Sequence, residues 1–133
     1  MKKLLDTNIV SHWMRGELAI LEKLNEHKPY EIAISTITLA EILYGIEKSP
    51  NHKQKRKKKI ELISTQVDIF SFKPEAVLHY AQTRCFLEKN GIPISERDLQ
   101  IASIALAKDF ILVTHNTSEF SRIKTLKIED WRI

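Results

Sequence analysis

Cysteine is all but missing: Cys85 stands alone among 133 residues, which excludes a disulfide scaffold and any zinc site built on thiolates. The scattered histidines complete no tetrahedral ligand set. Glycine (three) and proline (four) are also scarce, so collagen-like and low-complexity classes drop out. There is no glycine-rich phosphate loop and no strand-to-helix elbow for a nucleophilic serine or cysteine. No run approaches the ~20 apolar residues that a membrane-crossing helix requires. The Lys2–Lys3 pair resembles the start of a secretory signal, but Asp6 interrupts any hydrophobic stretch at once. The expectation is a cytoplasmic chain without a membrane partner.

What is present is ordinary in bulk and uneven in detail. An apolar fraction of 43% with 29% charged residues suits one globular domain over 1–133, large enough to bury a core without staples. Cys85 falls on a helical apolar spacing with Val77 and Ala81, which predicts a buried thiol in a reducing compartment. The net charge is +4, yet six cations (Lys53, Lys55, Arg56, Lys57, Lys58 and Lys59) crowd into NHKQKRKKKI. Without them the rest of the chain would stand at −2. Such a block attracts phosphate polyanions, and it is equally the composition of a solvated helix face.

Periodicity divides the chain into alternating elements. Residues 2–5 suit a short buried strand, and a helix over Asn8–Arg15 follows, closed by Gly16. Leu18, Leu21 and Leu24 mark a second helix, YEIAIST a second strand, and TLAEILYGIEK a third helix. The basic block opens a fourth helix running through IELIS, and VDIFSF alternates as a third strand. Pro74 starts a long helix ending at Asn90–Gly91. SERDLQIASIALAKD reads as a buried helix, FILVT as a strand, and LKIEDW as a last short one. Strands alternating with helices predict an α/β fold with a parallel sheet covered on both faces. Sites in such folds lie at the carboxyl ends of the strands.

Three acids stand where those turns would be. Asp6 ends the first strand, Glu41 falls in the first turn of the helix after the second, and Asp98 opens the apolar helix before the fourth. Each has a plain structural explanation. Asp6 can cap its helix, Thr38–Glu41 (TLAE) matches a capping box, and Ser95–Asp98 (SERD) is the same pattern with a shorter acid. A capping acid needs only its own helix, whereas this topology would carry acids from distant segments to one sheet edge. Clustered carboxylates raise each other's pKa and are costly without a cation. Hard oxygen donors suit Mg²⁺ or Mn²⁺. Spacing alone leaves both readings open. In FILVTHNTSEF, Thr114 can orient a carboxylate, Asn116 offers a neutral oxygen where another acid would be expected, and Glu119 lies three residues on. A simple turn and an exposed first-turn acid are the ordinary readings there.

Four segments together, LLDTNIV, ISTITLAEILYG, PISERDLQIASIA and LVTHNTSEFSRI with LKIEDW, resemble the PIN-domain ribonucleases. They are most similar to the VapC toxins of bacterial toxin–antitoxin pairs, over residue 2 to Trp131. The resemblance implies a PIN-like fold, a central parallel β-sheet sandwiched by α-helices, with an acidic pocket for Mg²⁺ or Mn²⁺. It carries catalytic roles to Asp6, Glu41 and Asp98, with Asp6 and Asp98 as metal ligands. Thr7, Asn8 and Thr114 then become supporting groups. Many PIN domains have a fourth acid where this chain has Asn116, which leaves Asn116 and Glu119 as contenders for that position and the number of metals open. The implied partners are a VapB-like antitoxin, a second copy in a homodimer, and a structured RNA, often a transfer RNA, cut as an endoribonuclease. Lys53, Lys55, Arg56, Lys57, Lys58 and Lys59 would meet RNA phosphates.

Two other readings remain. His12 and His115 could serve as base and acid in a metal-free nuclease. A degenerate, non-catalytic RNA-binding module would fit the lysine block and the Asn116 departure.

Overall fold

A strand covered on both faces has no polar side to present, and the central strands of this chain, with Leu4–Leu5, Ile32–Ser35 and Leu112–Val113 buried, are built accordingly. The computed structural model describes residues 1–132. Its strands are β1 (Lys3–Leu5), β2 (Ile32–Ser35), β3 (Asp68–Phe70), β4 (Ile111–Val113) and β5 (Ile128–Glu129). All pair in parallel, in the order β3-β2-β1-β4-β5. Successive side chains point to opposite faces, so Leu4, Ala33 and Leu112 enter one core. Leu5, Ile32, Ile34 and Val113 enter the other.

Helices close both sides: α1 (Thr7–Met14), α2 (Leu18–Asn25), α3 (Thr36–Lys48), α4 (Lys53–Gln66), α5 (Pro74–Lys89), α6 (Glu96–Lys108) and α7 (Thr117–Phe120). Ile9 and Val10 of α1, Ile42 and Ile46 of α3, and Ile60 and Ile63 of α4 pack with Trp131 on one face. α5, α6 and Phe120 of α7 pack on the other. The expected α/β architecture is present. No helix among the described residues is long and apolar enough to cross a membrane.

The chain steps outward from β1 through β2 to β3, then returns past β1 to β4. β1 and β4 are therefore neighbours whose connections diverge, the arrangement that opens a crevice at the strands' carboxyl ends. Asp6 follows β1 and Thr114 follows β4. The Asp6 N–H donates to the Val113 carbonyl at 2.9 Å, which fixes the two turns side by side.

Three expectations are corrected. Cys85 is exposed, because α5 buries the stripe of Ala76 and Leu87 and turns Val77, Ala81 and Cys85 to solvent. α3 starts at Thr36, three residues earlier than the capping-box pattern predicts, because Ser35 at the end of β2 has the extended backbone of a cap and its Oγ accepts from the Thr38 N–H at 3.0 Å. Thr38 and Glu41 therefore form no capping box, and Glu41 lies in the second turn. Ser95 does cap α6, accepting from the Asp98 N–H at 3.3 Å.

Candidate active site

Asp6 is only 4% exposed, a rare state for a carboxylate without a cationic partner. Its Oδ1 accepts from the Thr7 N–H at 2.6 Å and its Oδ2 from the Thr114 hydroxyl at 2.7 Å. Thr114 Oγ1 in turn accepts from the Asn116 N–H at 2.9 Å, so the turn after β4 is tied to the acid. Burial lifts the Asp6 pKa from 3.8 to about 6; the two hydrogen bonds pull it down, and the charges of Asp98 and Glu41 push it up. Asp6 is thus both the N-cap of α1 and a buried acid held against two others.

Glu41 reaches the same place from α3. The Thr7 hydroxyl donates to Glu41 Oε1 at 2.7 Å and lies 3.0 Å from the Thr38 hydroxyl. A hydroxyl has one hydrogen, so Thr38 is the donor in that second contact. Thr7 therefore serves Asp6 through its backbone and Glu41 through its side chain. From α6, Arg97 brings Nη1 to 3.5 Å from Glu41 Oε2 while remaining 65% exposed.

Asp98, partly buried in the first turn of α6, is also raised above its ordinary value. Burial is the main cause, the charges of Glu119 and Glu41 add to it, and the Ser95 hydroxyl and Arg97 oppose it. Asp98 thus stands within electrostatic reach of Asp6, Glu41 and Glu119, and Asp6 within reach of Glu41. Asn116 occupies the N-cap of α7 without a side-chain capping bond. Glu119, three residues on, is the acid of this segment whose charge acts on Asp98.

Asn8 is exposed on α1. His12 Nδ1 lies 2.8 Å from Glu17 Oε2, and His115 Nδ1 lies 3.0 Å from Asp130 Oδ2. Partial burial and then Arg132 hold His12 below its usual pKa. Both imidazoles are oriented by carboxylates other than the clustered ones. Sequence reasoning missed Thr38, which it assigned to a cap, and Arg97. The only signal for Arg97 was its place directly before Asp98 at a helix start.

Among the described residues, no three His, Cys, Asp or Glu side chains are close enough together to enclose a metal on their own. Mg²⁺ usually keeps several waters and takes one or two carboxylates plus substrate phosphate, so Asp6 and Asp98 would be the residues to hold it. The donor chemistry fits: hard oxygens, one of them on a carboxylate whose buried charge lacks a cation.

A family model described as PIN domain matches residues 3–126. The chain is similar to Ribonuclease VapC2 of Rickettsia felis, 36% identical over 135 residues with 96% of each chain covered. It is also similar to the tRNA(fMet)-specific endonuclease VapC of Shigella flexneri, 33% identical with 98% of each covered. The solved structure of VapBC2 from Rickettsia felis bound to a promoter DNA fragment matches with a TM-score of 0.90 at 34% identity, covering 98% of this chain and 99% of that one.

Proposed function

The chain belongs to the PIN-domain family, and from that premise we propose that it is a VapC-type endoribonuclease toxin, neutralised by a VapB-like antitoxin, that uses Mg²⁺ or Mn²⁺ to hydrolyse phosphodiester bonds in structured RNA. The observation that carries this reading is the buried Asp6, on which the charges of Asp98 and Glu41 from distant segments act, with Glu119 acting on Asp98 in turn. A module that only bound RNA would gain by losing those charges, since they repel phosphate.

Asp6 and Asp98 are the ligands in this reading. The ion, when bound, neutralises charge on the phosphate and makes a nearby water more acidic. The rest is the work of the chain. Thr114 and the Thr7 N–H hold both oxygens of Asp6, which fixes the plane of its carboxylate. Thr7 holds Glu41 so that its second oxygen can orient the attacking water. Arg97, beside that oxygen, is placed to meet the substrate's phosphate. Glu119 supplies the fourth charge in place of Asn116. Transfer RNA is the substrate that the Shigella flexneri relative's name supports. The exposed Val77, Leu78 and Phe86 on α5 offer an apolar face for a second copy in a homodimer.

The test is cleavage of a panel of structured RNAs, transfer RNAs included, by chelator-stripped protein with Mg²⁺ or Mn²⁺ restored, beside Asp98→Asn. Cleavage is expected only in the wild type and only with metal. Metal-independent cleavage would move the chemistry to His12 and His115. Tight, salt-sensitive binding without cleavage would favour the binding module.

Thr7 gives a finer prediction, as a positioning residue. Thr7→Val keeps the N–H that serves Asp6 and removes the hydroxyl that serves Glu41. Loss of such a supporting contact costs about 10–100-fold, expected in kcat with KM for RNA little changed. Thr7→Ser should restore most of the rate. An unchanged kcat in Thr7→Val would separate Glu41 from the chemistry.

A further inference from the structure

The acidic edge continues into a cleft. From Thr7 and Glu41 a cavity of about 450 Å³ runs between α1, α3 and α4, and it finishes at His52, Lys55, Arg56 and Lys59. One end is negative and the other positive.

Helix geometry decides which cations of the block reach it. Ile60 and Ile63 are the buried positions of α4, and Arg56, one turn before Ile60, continues their stripe. Lys55 and Lys59, four residues apart, flank that stripe on the cleft side. Lys53 and Lys57 flank it on the other side, where Lys53 Nζ lies 2.8 Å from Glu47 Oε2. Lys58, two residues before Ile60, turns away from the stripe altogether. The six cations are therefore divided among different sides of α4, and only Lys55, Arg56 and Lys59 line the cleft.

Two features of the cleft are unexplained by the fold itself. Arg56 donates from Nη2 to the carbonyls of Ser49 and Ile46, but its Nε is buried without a partner among the described residues. Gly45 sits in the middle of α3, where glycine costs ~1 kcal/mol relative to alanine. Its backbone does not need a positive φ, and an added Cβ would meet no atom within 4 Å. The helix forgoes a side chain where the cleft is open.

We propose that this cleft seats the single-stranded RNA leading away from the scissile bond, with Lys55 and Lys59 on its phosphates and Gly45 leaving room for the strand; the inference rests on the acidic edge being the nuclease centre. An acidic peptide would satisfy the lysines equally well, but nothing in the proposed chemistry requires it to continue to the acidic end. An RNA strand has to lie across that end in any case to be cut.

The test is salt-dependent binding of a short labelled oligouridylate, with every chain carrying Asp98→Asn so that the probe stays intact. Removing both cleft lysines (Lys55→Ala with Lys59→Ala) should weaken binding about tenfold and reduce the slope of log K against log salt by about 1.4, the value for two single-strand phosphate contacts. Removing the same charge outside the cleft (Lys57→Ala with Lys58→Ala) should change the slope by less than about half as much. Gly45→Leu should raise the unfolding midpoint, as a better helix former, and still weaken binding. Equal effects from the two lysine pairs would overturn the inference. So would unimpaired binding in Gly45→Leu, or displacement of the cleft lysines' role to polyglutamate with RNA binding unchanged. If the wild type cuts no RNA while the contrast between lysine pairs persists, the cleft stands as a strand seat and the nuclease reading fails.

Discussion

Asp6→Asn is expected to abolish RNA cleavage and, in the presence of chelator, to make the folded chain more stable at neutral pH. The loss of activity follows from removing the charge of a proposed ligand; a drop of at least about a thousandfold corresponds to about 4 kcal/mol of transition-state stabilisation. The gain in stability follows from titration. An ordinary aspartate titrates at 3.8 and the folded Asp6 at about 6. Below the lower value both states carry the proton and the residue is neutral to folding. As pH rises between the two values the unfolded chain ionises first, so stability falls; above the upper value the loss is complete and constant. Its size is on the order of 3 kcal/mol, with little solvent screening at so buried a position. Asparagine removes that cost and gives up two charge-assisted hydrogen bonds, so a net gain of about 1–2 kcal/mol is expected. On the proposed metal site a divalent cation should reverse the order, because it would bind only the folded wild type and stabilise it in proportion to RT ln(1 + [L]/Kd). Thermal unfolding from acid to neutral pH, with chelator and then with Mn²⁺, reads both effects. If Mn²⁺ raised the midpoint of Asp6→Asn as much as that of the wild type, Asp6 would be removed from the metal site.

The acids were visible in the sequence because each sits at an element boundary that periodicity locates: Asp6 after Leu4–Leu5, Asp98 after Ser95, Glu119 after the turn at Asn116. Convergence was harder to read, since it depends on β4 returning beside β1, and strand order leaves no local mark. The Thr38–Glu41 pattern misled for a related reason. A capping box and a buried hydroxyl–carboxylate link have the same spacing, and Ser35 took the cap first. Cys85 failed because α5 carries apolar residues on two faces, Ala76 and Leu87 on one, Val77, Leu78 and Phe86 on the other. Spacing shows that both faces exist, and only packing against α6 decides which is inside. The lysine block was legible as charge, but its division between cleft and outer face depends on where Ile60 and Ile63 anchor α4.

Trp131→Ala is expected to cost about 3–5 kcal/mol, the range for truncating a large buried aromatic, against a total of about 5–15 kcal/mol for a domain of this kind. Trp131 is 1% exposed. Its ring lies 5.2 Å from that of His27, and its Nε1–H donates to Glu129 Oε1 at 2.9 Å. It closes the core formed by β1, β2, α1 and α4, and it lies two residues beyond the end of β5, a two-residue strand with little hold of its own. Losing the indole leaves a cavity and frees β5 from β4, to which it is joined through the Thr114 N–H and Glu129 carbonyl at 2.9 Å. Trp131→Phe keeps most of the volume and should cost only about 1–2 kcal/mol. The chemistry should behave differently from the stability. Asp6, Glu41 and Asp98 are carried by the end of β1, by α3 and by α6, and β5 meets the site only through Thr114. Well below its unfolding midpoint, Trp131→Ala should therefore cleave RNA within a few-fold of the wild type. Urea unfolding measures the first effect, and cleavage at low temperature the second. A loss below about 1 kcal/mol would show that the edge strand is held by its neighbours without the indole. Collapse of activity in a chain still folded would mean that the Thr114 hydroxyl, and through it Asp6, is positioned from β5 and not from β4.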